Sequence, residues 1–95
     1  MLNTLENLFK LARERKKNPI KGSYTNKLLT DKSLSKAKVL EEIDELIEGR
    51  EDETNKNHEA GDVLYHLIMY LEANESKIED ILKELENRKN KTNRE

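Results

Sequence analysis

Two acidic clusters lie close together in the chain. The segment VLEEIDELIEG brings Glu41, Glu42 and Glu45 within a turn and a half of helix, and HEAGDVLYHLIMYLEA sets Glu59, Asp62 and His66 at i, i+3 and i+7. Carboxylates pooled from two such helices make an oxygen-lined site for a hard divalent ion. Cysteine is absent, which removes thiolate metal sites, disulfides and cysteine nucleophiles and leaves oxygen and imidazole as ligands. Mg²⁺ suits this set, since it takes oxygen ligands, keeps several waters and bridges to phosphates. His66, one turn beyond Asp62, fits a hydrogen-bonding neighbour of the site better than an Mg²⁺ ligand.

Each cluster also has a plainer reading. Around the helix axis Val39, Leu40, Ile43, Leu46 and Ile47 share a sector about 120° wide. Glu41 and Glu45 lie nearly opposite it and Glu42 sits at its border, so this helix taken alone is amphipathic with a solvated acidic side. The second helix is harder to explain that way. Ala60, Val63, Leu64, Leu67, Ile68 and Leu71 cover one broad face while Tyr65 and Met69 lie on the other, so it is apolar nearly all round and is expected to be largely buried. Carboxylates in such a surface are costly unless paired or bound to a cation. The stripe therefore borders a surface groove, pairs with lysines of another helix, or joins the first cluster around one or two ions across an antiparallel helix pair.

Helices must position these groups, because Leu, Glu, Lys and Asn abound and no Val/Ile/Thr alternation suggests a sheet. Leu2, Leu5, Leu8, Phe9 and Ala12 mark a first helix, with Asn3 or Thr4 as its cap and the basic run RERKK at its end. Pro19 and Gly22 break it, and a short turn follows at NKLL. Ser33 is expected to cap the acidic helix, which stops at Gly49. A polar link, REDETNKN, leads to the apolar helix from about His58 to Ala73. SKIE, Ser76 to Glu79, has capping-box form and opens a last amphipathic helix carrying Ile78, Ile81, Leu82 and Leu85. The expected fold is all-α: four to five helices in an antiparallel bundle, one domain over residues 1–90, with a mobile tail over 91–95.

With 95 residues, of which 34% are hydrophobic, the chain buries only a thin core alone, so dimerisation is expected to complete the bundle. Charged residues make up 40% yet nearly cancel, to a net −2, which argues against a nucleic-acid partner. No apolar run approaches the length of a membrane span, and the N-terminal charges follow the apolar residues, the reverse of a secretory signal. A cytoplasmic protein without a membrane partner is the expectation.

EEIDE followed after a short link by EAGD resembles the E-E-x-x-E and E-x-x-D signature of the MazG-like superfamily of all-α nucleoside triphosphate pyrophosphohydrolases. More narrowly, ERKKNPIKGSYTNKLL, Lys38 just ahead of the acidic cluster and DVLYHL resemble the phosphoribosyl-ATP pyrophosphohydrolases of histidine biosynthesis, over Leu8 to Arg88. The resemblance implies Glu42, Glu45, Glu59 and Asp62 as ligands of Mg²⁺, with Mn²⁺ as a substitute. Glu41 matches the first Glu of the pair, which binds a second ion or orients water, and Glu41 or Glu45 is the candidate general base. Arg15, Lys16, Lys17, Ser23, Tyr24, Thr25, Lys27 and Lys38 match the segments that approach the substrate's phosphates and sugar, with Tyr65 and His66 behind the site. Singly, Lys16, Lys17 and Lys21 read equally well as solubilising residues, and Tyr24 and Tyr65 as core or interface residues. The chain departs from the family pattern at Leu40, Ile43 and Gly61, where Gly, a small residue and Ala are common, and the link from KLL to EE is about a residue shorter.

The implied reaction is hydrolysis of phosphoribosyl-ATP between its α and β phosphates, releasing pyrophosphate and phosphoribosyl-AMP. It asks for positioning and charge neutralisation rather than a covalent nucleophile. The resemblance further implies a homodimer of interlocked helices. Some relatives are fused to the cyclohydrolase of the next step, which here would be a separate protein. Two alternatives stand beside this reading: a housekeeping nucleoside triphosphate pyrophosphohydrolase of the same superfamily, and a non-catalytic helical dimerisation module.

Overall fold

The computed structural model describes residues 1–49 and 53–92, and these form five helices and no strand: α1 (Asn3–Lys17), α2 (Tyr24–Thr30), α3 (Lys32–Glu48), α4 (Glu53–Ala73) and α5 (Ile78–Thr92). The all-α expectation holds. Residues 50–52 of the expected polar link and 93–95 of the expected mobile tail lie outside the described residues. No described helix is long and apolar enough to cross a membrane.

Several helix ends differ from expectation for local reasons. The first turn of α1 closes on backbone alone, with the Thr4 and Leu5 N–H groups donating to the Met1 and Leu2 carbonyls, so neither Asn3 nor Thr4 acts as a cap. Gly22 has φ +83, a left-handed conformation that favours glycine, and it turns the chain so that the Ser23 hydroxyl caps α2 by accepting from the Asn26 N–H. A single residue, Asp31, separates α2 from α3. Its extended backbone aims the carboxylate at the Leu34 N–H, 3.0 Å away, so Asp31 rather than Ser33 caps α3. Gly49 ends α3 as expected, but through close approach: a Cβ there would lie 2.5 Å from the Glu45 carbonyl oxygen. Helix α4 begins at Glu53, ahead of the expected start near His58. The capping box at Ser76 does not form, because the Ser76 N–H donates to the Leu71 carbonyl and the Glu79 carboxylate is taken by Arg13.

Phe9, Ala12, Leu28, Leu29, Ile68 and Met69 form the core where α1, α2 and α4 meet, with Leu8, Leu34, Tyr65 and Ile78 packed against it. Burial of these side chains is the main favourable term in such a small core. Glu72 is buried beside that core and is matched by Arg13 and Lys16 on α1, while Arg13 also holds Glu79 of α5.

Helices α3 and α4 pack antiparallel, since Glu45, late in α3, meets Glu59, early in α4, while the earlier Glu41 lies within the electrostatic reach of the later His66. The rotation of α3 overturns the expected burial. Ser35, Val39 and Glu42 face inward, whereas Leu40, Ile43 and Ile47 of the apolar sector are 55%, 38% and 72% exposed. The helix turns its carboxylate row, not its apolar row, toward α4. On α4, Ile68, Met69 and Ala73 are buried, but Leu64 is 48% exposed, so the apolar helix is only partly covered by its own chain. A radius of gyration of 14.9 Å exceeds the about 12 Å of a compact domain of this length.

Candidate metal and phosphate site

The inward row of α3 and the first half of α4 bring three of the expected ligands together. Oxygens of Glu42, Glu45 and Glu59 all lie within 4.8 Å of one another. Glu42 is buried, Glu59 half-buried and Glu45 exposed at the rim. One oxygen each of Glu42 and Glu59, both Oε2, is buried without a hydrogen-bond partner. Burial raises the Glu42 carboxyl above its ordinary range, with Glu45 and Asp62 adding repulsion, and burial and Glu45 likewise raise Glu59. Crowded carboxylates with orphaned oxygens are the arrangement a divalent cation resolves, so these residues fit such an ion.

Asp62, the fourth expected ligand, is not part of that tight group. Its Oδ2 stands 3.3 Å from His58 Nε2, one turn earlier on α4, while its charge still acts on Glu42. Glu41 lies outside the cluster on the exposed side, where its carboxylate accepts a 2.8 Å hydrogen bond from Lys38 Nζ. That contact holds the Glu41 carboxyl below the ordinary range. The same ammonium stands 3.9 Å from Glu42 Oε1.

A second layer joins the loop to α4. His66 Nδ1 lies 2.8 Å from the Asp62 carbonyl oxygen, which can only accept, so Nδ1 carries the hydrogen; in the neutral ring Nε2 then accepts from the Tyr24 hydroxyl at 2.9 Å. Beside this pair the Thr25 and Tyr65 hydroxyls share a short hydrogen bond, and the Tyr24 and Tyr65 rings stack with centroids 6.5 Å apart. Partial burial raises the Tyr24 hydroxyl above its ordinary value, with the Lys38 charge opposing. Tyr65 and His66 therefore tie α4 to the start of α2.

The basic segment divides. A cavity of about 690 Å³ is walled by Ile20, Lys21, Ser23, Tyr24, Lys27 and Thr30, and another of about 350 Å³ opens between Glu45, Glu48, Lys56 and Glu59. Ser23 lines the first but spends its hydroxyl on the α2 cap. Lys16 turns away, donating to the Glu72 carbonyl at 2.7 Å and to Glu75 at 3.1 Å, and together with Lys17 it borders a different surface hollow. Arg15 contributes its backbone carbonyl, which accepts from Asn26 Nδ2 at 2.7 Å. Asn26 Oδ1 accepts from the Ile20 N–H at 2.8 Å, so one buried side chain ties the end of α1 and the loop to α2. Neither Asn26 nor His58 is singled out as a site residue by the sequence. An Asn following Ser-Tyr-Thr in a turn, and a His four residues before an Asp on a helix, are the signals that mark them.

The family model for phosphoribosyl-ATP pyrophosphohydrolase matches residues 2–89. Among similar proteins, the phosphoribosyl-ATP pyrophosphatase of Clostridium acetobutylicum is 41% identical over 92% of this chain and 82% of its own length. The one from Streptococcus thermophilus is 49% identical over 70% of this chain and 67% of its own. A chloroplastic bifunctional histidine biosynthesis protein of Arabidopsis thaliana is 37% identical over 92% of this chain, which corresponds to 33% of that longer protein. No solved structure matches. A match spanning nearly all of the described helices, together with the carboxylate cluster they build, places this chain in the phosphoribosyl-ATP pyrophosphohydrolase family.

Proposed function

We propose that this protein hydrolyses phosphoribosyl-ATP to phosphoribosyl-AMP and pyrophosphate in histidine biosynthesis, and that it does so with Mg²⁺. Family membership supports the substrate. The observation that carries the metal is the pair of buried, unpartnered oxygens of Glu42 and Glu59 meeting beside Glu45. Glu42, Glu45 and Glu59 would hold the ion, with Asp62 completing the set after exchanging its His58 contact. When bound, Mg²⁺ neutralises phosphate charge and polarises phosphoryl oxygens, and Mn²⁺ can substitute.

The chain's own groups supply the rest. Lys21 and Lys27, which wall the loop cavity, and Lys38 offset the charge of the triphosphate and of the departing pyrophosphate. Water attacks the α-phosphorus, the bond to the β-phosphate's bridging oxygen breaks, and the water's proton passes to a carboxylate. Glu45, the exposed member of the cluster, is the base in this scheme. The Tyr24–His66 and Thr25–Tyr65 contacts hold the cavity wall against α4 and set its distance from the carboxylates.

The outward row of Leu40, Ile43 and Ile47 on α3 and the exposed Leu64 on α4 support a homodimer in which a second copy covers these side chains. A cyclohydrolase as pathway neighbour and a cytoplasmic location complete the proposal, the bifunctional Arabidopsis relative pointing to a second histidine-pathway activity beside this one. The deciding experiment is pyrophosphate release from phosphoribosyl-ATP with and without Mg²⁺, run beside Glu42→Gln and Asp62→Asn. Mg²⁺-dependent turnover lost in both variants is the expected result. Turnover of dUTP, dCTP or another triphosphate in its place would keep the ion and overturn the substrate.

A further inference from the structure

Phosphate binding alone does not account for where Lys38 sits. Its ammonium donates to Glu41 Oε2 at 2.8 Å and stands 3.9 Å from Glu42 Oε1, on a side chain 28% exposed. Among the described residues it is the cation that the carboxylate cluster has at ion-pair distance, since His58 serves Asp62 and Arg13 and Lys16 serve Glu72. A divalent ion entering against Glu42 meets this resident charge a few ångströms away. The two positive charges repel while they compete for the same oxygens.

We propose that Lys38 is a tethered counter-ion that competes with the divalent ion for Glu41 and Glu42 and passes to the nucleotide's phosphates when the ion binds. The inference rests on the metal site proposed above. A four-carbon stem with rotatable bonds allows the transfer without moving α3. The loop cavity lies in the electrostatic field of the same charge, since Tyr24 on its wall is acted on by the Lys38 ammonium. Coupling follows from the exchange. Ion binding frees Lys38 for phosphate, phosphate draws Lys38 off the carboxylates, and each ligand raises the affinity for the other.

The test is Mn²⁺ affinity measured by electron paramagnetic resonance without nucleotide, on the full chain and on Lys38→Met and Lys38→Arg. Removing the competing charge should tighten Mn²⁺ binding roughly fivefold, the range of a partly exposed ion pair. Arginine, whose planar fork grips carboxylates in two places, should weaken it below the native level. Affinity must therefore fall in the order Met, Lys, Arg, while the KM for phosphoribosyl-ATP at saturating ion rises in Lys38→Met. A purely structural lysine would move both quantities the same way. If Lys38→Met does not fold, the comparison of Lys with Arg decides alone. Native binding with an unchanged or reversed order overturns the counter-ion; no Mn²⁺ binding by the native chain overturns the metal site itself, and the counter-ion with it.

Discussion

Replacing Glu42 with Gln should stabilise the ion-free protein while abolishing its response to divalent ions. Glu42 shares a space within 4.8 Å of Glu45 and Glu59 oxygens and is itself buried. Two like unit charges at that separation repel by about 3.5 kcal/mol at an effective dielectric of about 20. Lys38 offsets part of this at 3.9 Å, and water at the exposed Glu45 together with salt reduces it further. Removing the Glu42 charge is thus worth about 1–2 kcal/mol to the folded state, in the direction already marked by its raised carboxyl. For a chain this size that corresponds to a Tm rise of roughly 5–15 °C. Calorimetry in a chelator measures it directly. In millimolar Mg²⁺ the native protein should gain stability, because the ion binds only the folded state, and the variant should not. A lower Tm for Glu42→Gln in chelator would refute the reasoning, since it would make the Glu42 charge a net stabiliser through Lys38.

Tyr24→Phe removes the hydroxyl that His66 Nε2 accepts; the cavity wall loosens, and KM for phosphoribosyl-ATP should rise several-fold with a smaller change in kcat, read by steady-state kinetics. Arg13 holds the Glu79 carboxyl down to about 2, so this contact contributes stability above the ordinary carboxylate range and loses it as pH falls through about 2. Native protein should therefore lose more stability than Glu79→Gln between pH 4.5 and 2, which acid titration followed by circular dichroism checks. Ile43→Asp together with Ile47→Asp charges the outward row of α3 and should give a folded monomer where the native chain sediments as a dimer. A native chain that sediments as a monomer would remove that expectation.

The elements were legible because apolar residues at helical spacing and a few breakers decide them: Pro19 and Gly22 end one helix region, and Gly49 ends α3. Their ends were less so. A Ser33 cap and a Ser76 capping box both satisfy sequence rules, yet Asp31 and the Leu71 carbonyl reach the relevant N–H groups first. The direction α3 faces could not be read from its own wheel, because an apolar row fits a core and a subunit surface equally well. Glu42 lies inward beside Glu59 of α4, a placement that only the packed helix pair reveals. Three of the four carboxylates meet as the motif implied, whereas the turn of Asp62 toward His58 depends on side-chain rotamers that no motif encodes. The family resemblance puts Lys16 in the segment that approaches phosphate, whereas here its ammonium contacts Glu72, 56 residues away, a partner no local motif marks.

Helix α3 uses its circumference almost completely. Ser35, Val39 and Glu42 face the interior, Glu41 and Glu45 border the ion site, and Leu40, Ile43 and Ile47 form an apolar row on the outside. Few positions remain where an arbitrary side chain meets neither α4, the ion site nor that row. Lys32, Ser33, Ala37 and Asp44 are the exposed ones. Mutational tolerance along this helix should therefore be narrow and periodic, and it should be read in two separate currencies. Substitutions at Glu42 and Glu45 would spare folding and lose turnover, while polar substitutions at Leu40, Ile43 and Ile47 would improve the solubility of a single chain and cost it its assembly. A deep mutational scan scored once for abundance and once for growth without histidine would separate the two rows by eye, three and four residues apart.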